Sequence, residues 1–381
     1  MKIAMSSRAY DRKGGISRYV AELAERFADE HEVHIFTSKW EDVNSDSIIF
    51  HTTPLPPGPL LVEAGAYFVE MSLISKFMRG KFDIIHTEGL ESAWLDVVTA
   101  HSIHRGGLES MKNIGDLQSL GVMDKFLLAI EKMNYSRCRN YRKIIADSTS
   151  SKEELIKFYN VPDEDIAVIP LGVNLDEYSP MDRKGFLGLR RKYGINENDI
   201  VLLIVATEFR RKGIVELIFA LGILKKKMNN IKLVIIGEPR TEGARKGTGY
   251  YRDLAIKEGV EKEVIFTGFI NDLNSYFNMS NIFVFPTKYE AFGIPTLEAM
   301  AAGLPVLNSK IGAGELITDG FDGIHLDDPG NVNEIADKLE MLIRDEKLRK
   351  ELGRNARKTA MKYSWDETAK RTMEVYEQIL K

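Results

Sequence analysis

Residues 200–228 read IVLLIVATEFRRKGIVELIFALGILKKKM. Ile200 to Val205 is an unbroken apolar run rich in β-branched residues, the pattern of a strand buried on both faces. A loop with three consecutive cations follows, Arg210-Arg211-Lys212, and then a helical pattern over Ile214–Met228. Strand, loop and returning helix form one step of a parallel α/β sheet, because parallel neighbours need a crossover long enough to hold a helix.

The same rhythm runs outward in both directions. Before this unit, Lys2–Met5, Glu32–Thr37, Ile48–His51, Phe82–Thr87, Asp96–Ala100, Lys143–Ala146 and Ala167–Pro170 read as strands. Helical patterns separate them, at Ile16–Ala28, Leu60–Met78 and Met123–Asn140. After it, Lys232–Ile236, Glu263–Phe266, Asn281–Phe285, Pro305–Asn308 and Gly323–Leu326 continue a second strand set, with helices at Tyr250–Glu258 and Pro295–Ala302. The sets meet at Leu171–Pro180, LGVNLDEYSP, where turn formers replace periodic residues. The pattern predicts two doubly wound α/β domains, residues 1–171 and 172–362, facing each other across a cleft. Residues 331–381 read as almost wholly helical. In such sheets ligands sit outside the carboxyl ends of the strands, so the segments directly after strands carry the chemical information.

Composition narrows the class without naming the chemistry. The chain has 381 residues, 44% hydrophobic and 28% charged, which suits a folded protein of two or three domains rather than a disordered chain. A single cysteine, Cys138, cannot form an internal disulfide. With 52 basic and 56 acidic residues the formal charge is −4, so no overall electrostatic footprint for nucleic acid exists. The N-terminus lacks the long apolar core of a signal peptide, and no apolar run approaches a membrane span. A cytoplasmic protein is expected.

Four post-strand segments carry candidate chemistry. Gly14-Gly15 precedes the first helix, where glycine lets a backbone approach a ligand and a helix N-terminus favours an anion; a plain turn is the alternative. His101 ends the run Asp96–Ala100, with His104, Arg105 and Gly106-Gly107 close behind. It is a candidate for bonding a substrate hydroxyl or moving a proton, or a purely structural histidine. The His-x-x-His spacing also suggests a metal, but no carboxylate or cysteine cluster completes it, and no metal is expected. Arg210-Arg211-Lys212 suits phosphates, or is a solvated basic turn. The strongest segment is FPTKYEAFGIPTLE, Phe285–Glu298. Glu290 lies in a loop and Glu298 near the first turn of a helix; Gly293 permits close approach and Pro295 suits an early helical position. Carboxylates to accept hydrogen bonds from hydroxyls, beside backbone N–H groups for phosphate, describe a nucleotide-sugar site; a surface glutamate and a capping glutamate are the alternative.

Together these motifs resemble glycosyltransferase family 4, retaining enzymes with the GT-B fold. The resemblance runs over nearly the whole chain, in order: Gly14-Gly15, His101, Ile169–Asn174, Arg211-Lys212-Gly213, Gly237, Thr267-Gly268-Phe269, the Glu290/Glu298 pair, Ala302–Val306 and Tyr363-Ser364-Trp365. It implies that Glu298 accepts the ribose hydroxyls of a donor nucleotide and that Glu290 contacts the donor sugar. Lys212, with Arg211 or Arg210, would neutralise the diphosphate, assisted by backbone N–H groups at Phe292, Gly293, Ile294 and Pro295. Gly14 and Gly15 would approach the phosphates and acceptor, His101 would bind the donor sugar, and the base would sit near Gly237 and Phe269. The final helix, 363–381, would return to the first domain. Three positions depart from the family pattern: Ala206-Thr207 where Gly-Arg is common, Ser102 where aspartate often follows the histidine, and Gly312-Ala313-Gly314 where Gly-Gly is usual. They leave open whether Arg210 or His104 takes over a usual contact.

The implied reaction is metal-independent retaining transfer from a UDP-, GDP- or ADP-sugar to a hydroxyl of a glycolipid, polysaccharide or small polyol, with no further cofactor. A nucleotide-sugar epimerase and a non-catalytic nucleotide-sugar-binding protein are the alternatives, and both monomer and homodimer stay open. Met123–Lys143 is an amphipathic pattern with basic residues Lys132, Arg137, Arg139, Arg142 and Lys143 after Lys125. It is either a core helix with a solvated basic end or a peripheral contact with the inner face of a membrane.

Overall fold

A computed structural model describes the chain except Asp116, Gln118, Arg139, Asn140 and residues 240–246, together with the side chains of Arg137, Cys138 and Arg183. The elements of the first stretch are β1 (Lys2–Ser6), α1 (Gly15–Phe27), β2 (Glu32–Thr37), β3 (Ile48–Thr52), α2 (Leu60–Met78) and β4 (Ile84–Glu88). They continue as β5 (Val97–Ala100), α3 (His104–Asn113), α4 (Val122–Glu131), β6 (Lys143–Ala146), α5 (Thr149–Tyr159) and β7 (Ile166–Val168). The second stretch holds α6 (Leu187–Lys192), β8 (Ile200–Val205), α7 (Ile214–Lys225), β9 (Ile231–Ile236), α8 (Gly249–Lys257) and β10 (Val264–Gly268). Then come α9 (Leu273–Met279), β11 (Ile282–Phe285), α10 (Ile294–Ala301), β12 (Val306–Ser309), β13 (Ile324–Leu326), α11 (Val332–Arg344), α12 (Glu346–Ala360) and α13 (Trp365–Leu380).

Each sheet is parallel throughout, and each is its own Rossmann-like layer. The first has strand order β3-β2-β1-β4-β5-β6-β7, the second β10-β9-β8-β11-β12-β13. Both orders reverse direction once, between β1 and β4 and between β8 and β11. That reversal is the topological switch point, where loops leaving two adjacent strands diverge and open a crevice. The central strands are fully buried: Ile3, Val33, Ile84 and Val97 in one sheet, Leu203, Val234 and Phe283 in the other. Burial on both faces explains why their sequences run apolar without alternation.

The chain divides into two compact units, Met1–Gly172 with Trp365–Lys381, and Val173–Ser364. The division falls one residue later than the turn formers predict. Tyr363 and Ser364 stay with the second unit, because Val173 N donates to Tyr363 O at 2.9 Å and Val173 bridges to Ser364. Helix α13 belongs to the first unit. Trp365 and Tyr376 are buried there, Arg26 pairs with Asp366 at 2.6 Å, and Arg371 donates to Val168 O at 2.7 Å.

The segment Met123–Lys143 is not one helix. Helix α4 ends at Glu131 and continues as π-helical turns over Lys132–Cys138, where Asn134 Nδ2 donates to Ser92 O and Tyr135 is buried. A π-helical turn is wider than an α-helical one, so the side chains after Glu131 leave the register of α4. Of the basic residues, Arg142 donates to Ile379 O and Lys143 to Glu164 O. Arg139 and the side chain of Arg137 lie outside the described residues. No helix among the described residues is long and apolar enough to cross a membrane.

Candidate active site

The switch point of the second unit gathers the basic loop and the glutamate loop. The loop after β8 carries Arg210–Lys212, and the loop after β11 carries Lys288–Gly293. Because β8 and β11 are hydrogen-bonded neighbours, residues 78 apart in sequence meet there. Lys288 N donates to Arg211 O at 2.9 Å, and Arg211 Nη1 donates to Tyr289 O at 2.7 Å. Arg211 also pairs with Glu208, and its guanidinium lies over the Tyr289 ring. Lys212 forms an ion pair with Glu290 and sits 4.9 Å from the centre of the Phe285 ring. Both members of that pair are largely out of water, with side-chain exposures of 9% and 13%. In such surroundings a fixed charge acts on a neighbouring group far more strongly than at a wet surface.

Helix α10 starts at this crevice. Gly293 is its N-cap with φ 84° and ψ 62°, a left-handed conformation that glycine adopts without a Cβ penalty. Pro295 has no N–H to offer, so the sequence-based assignment of four backbone donors reduces to Phe292, Gly293 and Ile294, and Pro295 acts by fixing φ in the first turn. Thr296 N closes that turn on Gly293 O at 3.0 Å, and the Thr296 hydroxyl donates to Asn308 Oδ1 on β12 at 2.9 Å. Glu298 follows within α10 and is buried.

Two glycines fix the surrounding backbone. Gly237, directly after β9, has φ 105°, and a Cβ there would lie 2.0 Å from Ala206 O. Phe269, just after β10, is 71% exposed. Gly312, with φ 59°, leaves no room for a side chain, since a Cβ would stand 2.3 Å from Phe292 O. Arg210 lies in the same loop as Lys212, partly exposed.

The first unit has its own cluster at the carboxyl ends of β1, β4, β5 and β6. His101 is bracketed by two acids: Nε2 is 2.8 Å from Glu88 and Nδ1 is 3.3 Å from Asp147. Burial by itself would push the imidazole pKa down, but the hydrogen bonds to Asp147 and Glu88 and their charges outweigh it and raise it to about 10. His101 is therefore a protonated donor at neutral pH, not a base. Glu88 Oε1 and Asp147 Oδ1 are buried with no hydrogen-bond partner among the described residues. Glu91, at the β1/β4 switch point, accepts from Arg8 N at 3.2 Å; burial, and then the charge of Glu88, push its pKa up to about 8. The pairing of His101 with two acids was not legible in the sequence. Glu88 and Asp147 each end a strand, and that position is the signal that marks them.

His104 is separate from this cluster. Its Nε2 lies 3.2 Å from Asp124, so the His-x-x-His residues do not converge. Among the described residues no group of three or more His, Cys, Asp or Glu side chains is placed to hold a metal ion. Gly14 is the N-cap of α1, and its N–H, with that of Lys13 and the hydroxyl of Ser17, is taken up by Asp11. Around Gly15 a Cβ would meet nothing within 4 Å, so its backbone is open to close approach.

A titration follows from the His101 geometry. Its NMR midpoint is expected near 10 rather than near the free value of about 6.5. The folded pKa is the raised one, so the stabilising effect is fully present below about 6.5 and is lost as pH rises through about 10. A His101→Ala variant should lie furthest below the parent in thermal stability below about pH 6.5, and the gap should narrow as pH rises through about 10. A midpoint near 6.5 would contradict the bracketed arrangement.

Two Rossmann-like parallel sheets, one carrying cations and a carboxylate at its switch point, are the architecture expected of the GT-B class. Comparison with known proteins agrees. Residues 188–359 match the family model for glycosyl transferases group 1, and residues 13–177 match that for glycosyltransferase family 4. An uncharacterized glycosyltransferase of Methanocaldococcus jannaschii, MJ1607, is 30% identical, spanning 99% of this chain and 98% of its own. The structure of WaaG, a glycosyltransferase involved in lipopolysaccharide biosynthesis, superposes with a TM-score of 0.78 at 21% identity, covering 98% of this chain and 99% of that one. Anabaena Alr3699/HepE in complex with UDP-glucose superposes with a TM-score of 0.75 at 18% identity, covering 99% and 100%. The chain belongs to the group 1 glycosyltransferases.

Proposed function

We propose that the protein is a retaining glycosyltransferase that moves a sugar from a nucleoside-diphosphate sugar to a hydroxyl of a glycolipid, a polysaccharide or a small polyol. The observation that carries this reading is the buried Lys212–Glu290 pair beside the Gly293 cap, a cation and a carboxylate fixed at one switch point. The UDP-glucose complex of Alr3699/HepE supports a nucleotide-sugar donor.

The roles follow from chemistry. The bond from C1 of the sugar to the diphosphate oxygen loosens first, placing positive charge on the sugar and negative charge on the diphosphate. Lys212, Arg211 and Arg210, with the N–H groups of Phe292, Gly293 and Ile294, stabilise that leaving group in place of a metal ion. Lys212 must exchange part of its bond to Glu290 for the phosphate, which frees Glu290 to accept from a sugar hydroxyl. Glu298 accepts from the ribose hydroxyls, and Gly237 and Phe269 take the base. The first unit contributes Gly14, Gly15 and the charged His101. The acceptor oxygen attacks C1 from the side the diphosphate leaves, and its proton passes to the departing phosphate, so the anomeric configuration is kept. Among the described side chains, Lys125 and Lys132 are the exposed cations left for peripheral membrane contact, since Arg142 and Lys143 donate to backbone carbonyls.

Calorimetric titration with UDP-, GDP- and ADP-glucose, followed by NMR of the anomeric proton in any transfer product, tests the reading. Binding of one nucleotide sugar and an axial product from an axial donor is the expected result. An inverted product overturns the retaining mechanism, and an epimerised donor with no acceptor present overturns transfer.

A further inference from the structure

In the first unit, residues of α3, α4 and α5 and the segments beside them line an open cavity of about 350 Å³ that none of the roles assigned in donor binding or transfer uses. Leu108, Leu128, Phe158 and Tyr159 supply apolar walls, and the cations Arg105, Lys112 and Lys132 stand at its rim. Among the described residues the lining has one carboxylate, Glu109, which Lys157 already pairs at 3.3 Å. Its lining therefore joins hydrocarbon to a net positive edge, and the three rim cations are exposed to solvent.

The cavity is held open by its frame. Glu131, at the end of α4 and fully buried, caps the N-terminus of α3 by accepting from His104 N at 2.5 Å and Arg105 N at 3.2 Å. The hydroxyl of Tyr159, at the end of α5, donates to the same carboxylate. At Gly106 of α3 a Cβ would meet only the side-chain carboxylate of Glu154 on α5, 2.1 Å from its Oε1. One buried carboxylate thus ties three helices together. A preformed apolar cavity binds with little ordering cost.

We propose that this cavity takes the hydrocarbon chain of an amphiphile whose anionic head group is held by Arg105, Lys112 and Lys132. Neither half suffices: exposed cations alone hold a small anion weakly in water, and a chain alone gains nothing from the rim. The binding does not depend on the transfer chemistry proposed above. If the protein acts on lipid-linked acceptors, however, this is a site that would seat one.

The test uses the full chain and monomeric decyl phosphate below its micellar concentration, compared with inorganic phosphate and decyl maltoside by calorimetry. One-to-one binding of decyl phosphate, at least about tenfold tighter than either control, is expected, since tenfold corresponds to about 1.4 kcal/mol. The double variant Lys112→Glu/Lys132→Glu, altered only at exposed positions, should weaken decyl phosphate binding by at least about tenfold through loss of charge-assisted contacts. Inorganic phosphate binding as tightly would show a simple anion patch and overturn the proposal. Decyl maltoside binding as tightly, or an unaffected double variant, would overturn it as well. Nucleotide-sugar titration of the same double variant should be unchanged, so a failure here stays distinct from a failure of the proposed function.

Discussion

Replacing Lys212 by alanine is expected to lower kcat for sugar transfer by about two to three orders of magnitude, the usual consequence of losing one preorganised group that faces developing charge. The loss should fall on kcat more than on donor affinity, because the diphosphate is most negative once the bond to the sugar has loosened. Glu290→Ala should be of similar severity. The double variant should be little worse than either single one, because Lys212 and Glu290 hold each other in place. Thermal unfolding of each purified variant guards against a folding defect, and Glu290, at 13% side-chain exposure, can rehydrate when its partner is gone. Full activity in a folded Lys212→Ala protein would remove the site from the mechanism.

Gly312→Ala is expected to act through backbone alone. The residue has φ 59°, and its Cβ would lie 2.3 Å from Phe292 O, an atom that already accepts from Ala313 N at 2.5 Å. Left-handed strain and forced displacement together cost about 2–5 kcal/mol. At roughly 2–4 °C per kcal/mol, the melting temperature should fall by on the order of 10 °C. Because Phe292 precedes the Gly293 cap, the same displacement moves the backbone donors of the α10 turn. Nucleotide-sugar affinity, measured by calorimetry well below the melting temperature, should therefore fall too. A melting temperature unchanged from the parent would mean that the Phe292 carbonyl has room to yield.

The strands were legible because buried parallel strands leave a local mark. Ile200–Val205 and Glu32–Thr37 read directly as apolar or β-branched runs and form as such. Met123–Lys143 was less legible: its periodic pattern continues past Glu131, but the helix widens into π-helical turns there, where Asn134 and Tyr135 are buried. Helices α3 and α5 frame the cavity of the first unit, yet short polar helices such as α3 carry too weak an apolar stripe to stand out. In the second unit Lys212 and Glu290 stand out by their position after strands, and Glu298 by its place early in the following helix. In the first, His101 was found the same way, but its state was not.

The sequence by itself determined which segments are strands, which loops follow them, and which of those loops carry cations, carboxylates and glycines. Periodicity and turn chemistry are local, and they survive in one dimension. Only the tertiary structure decided that β8 lies beside β11, so that Lys212 meets Glu290 across 78 residues. It also decided that His101 lies between Glu88 and Asp147 and stays charged. Strand order is fixed by which buried edges find each other in the folded sheet, and a buried group's charge by the neighbours that order brings. Neither is written in the residues next to it.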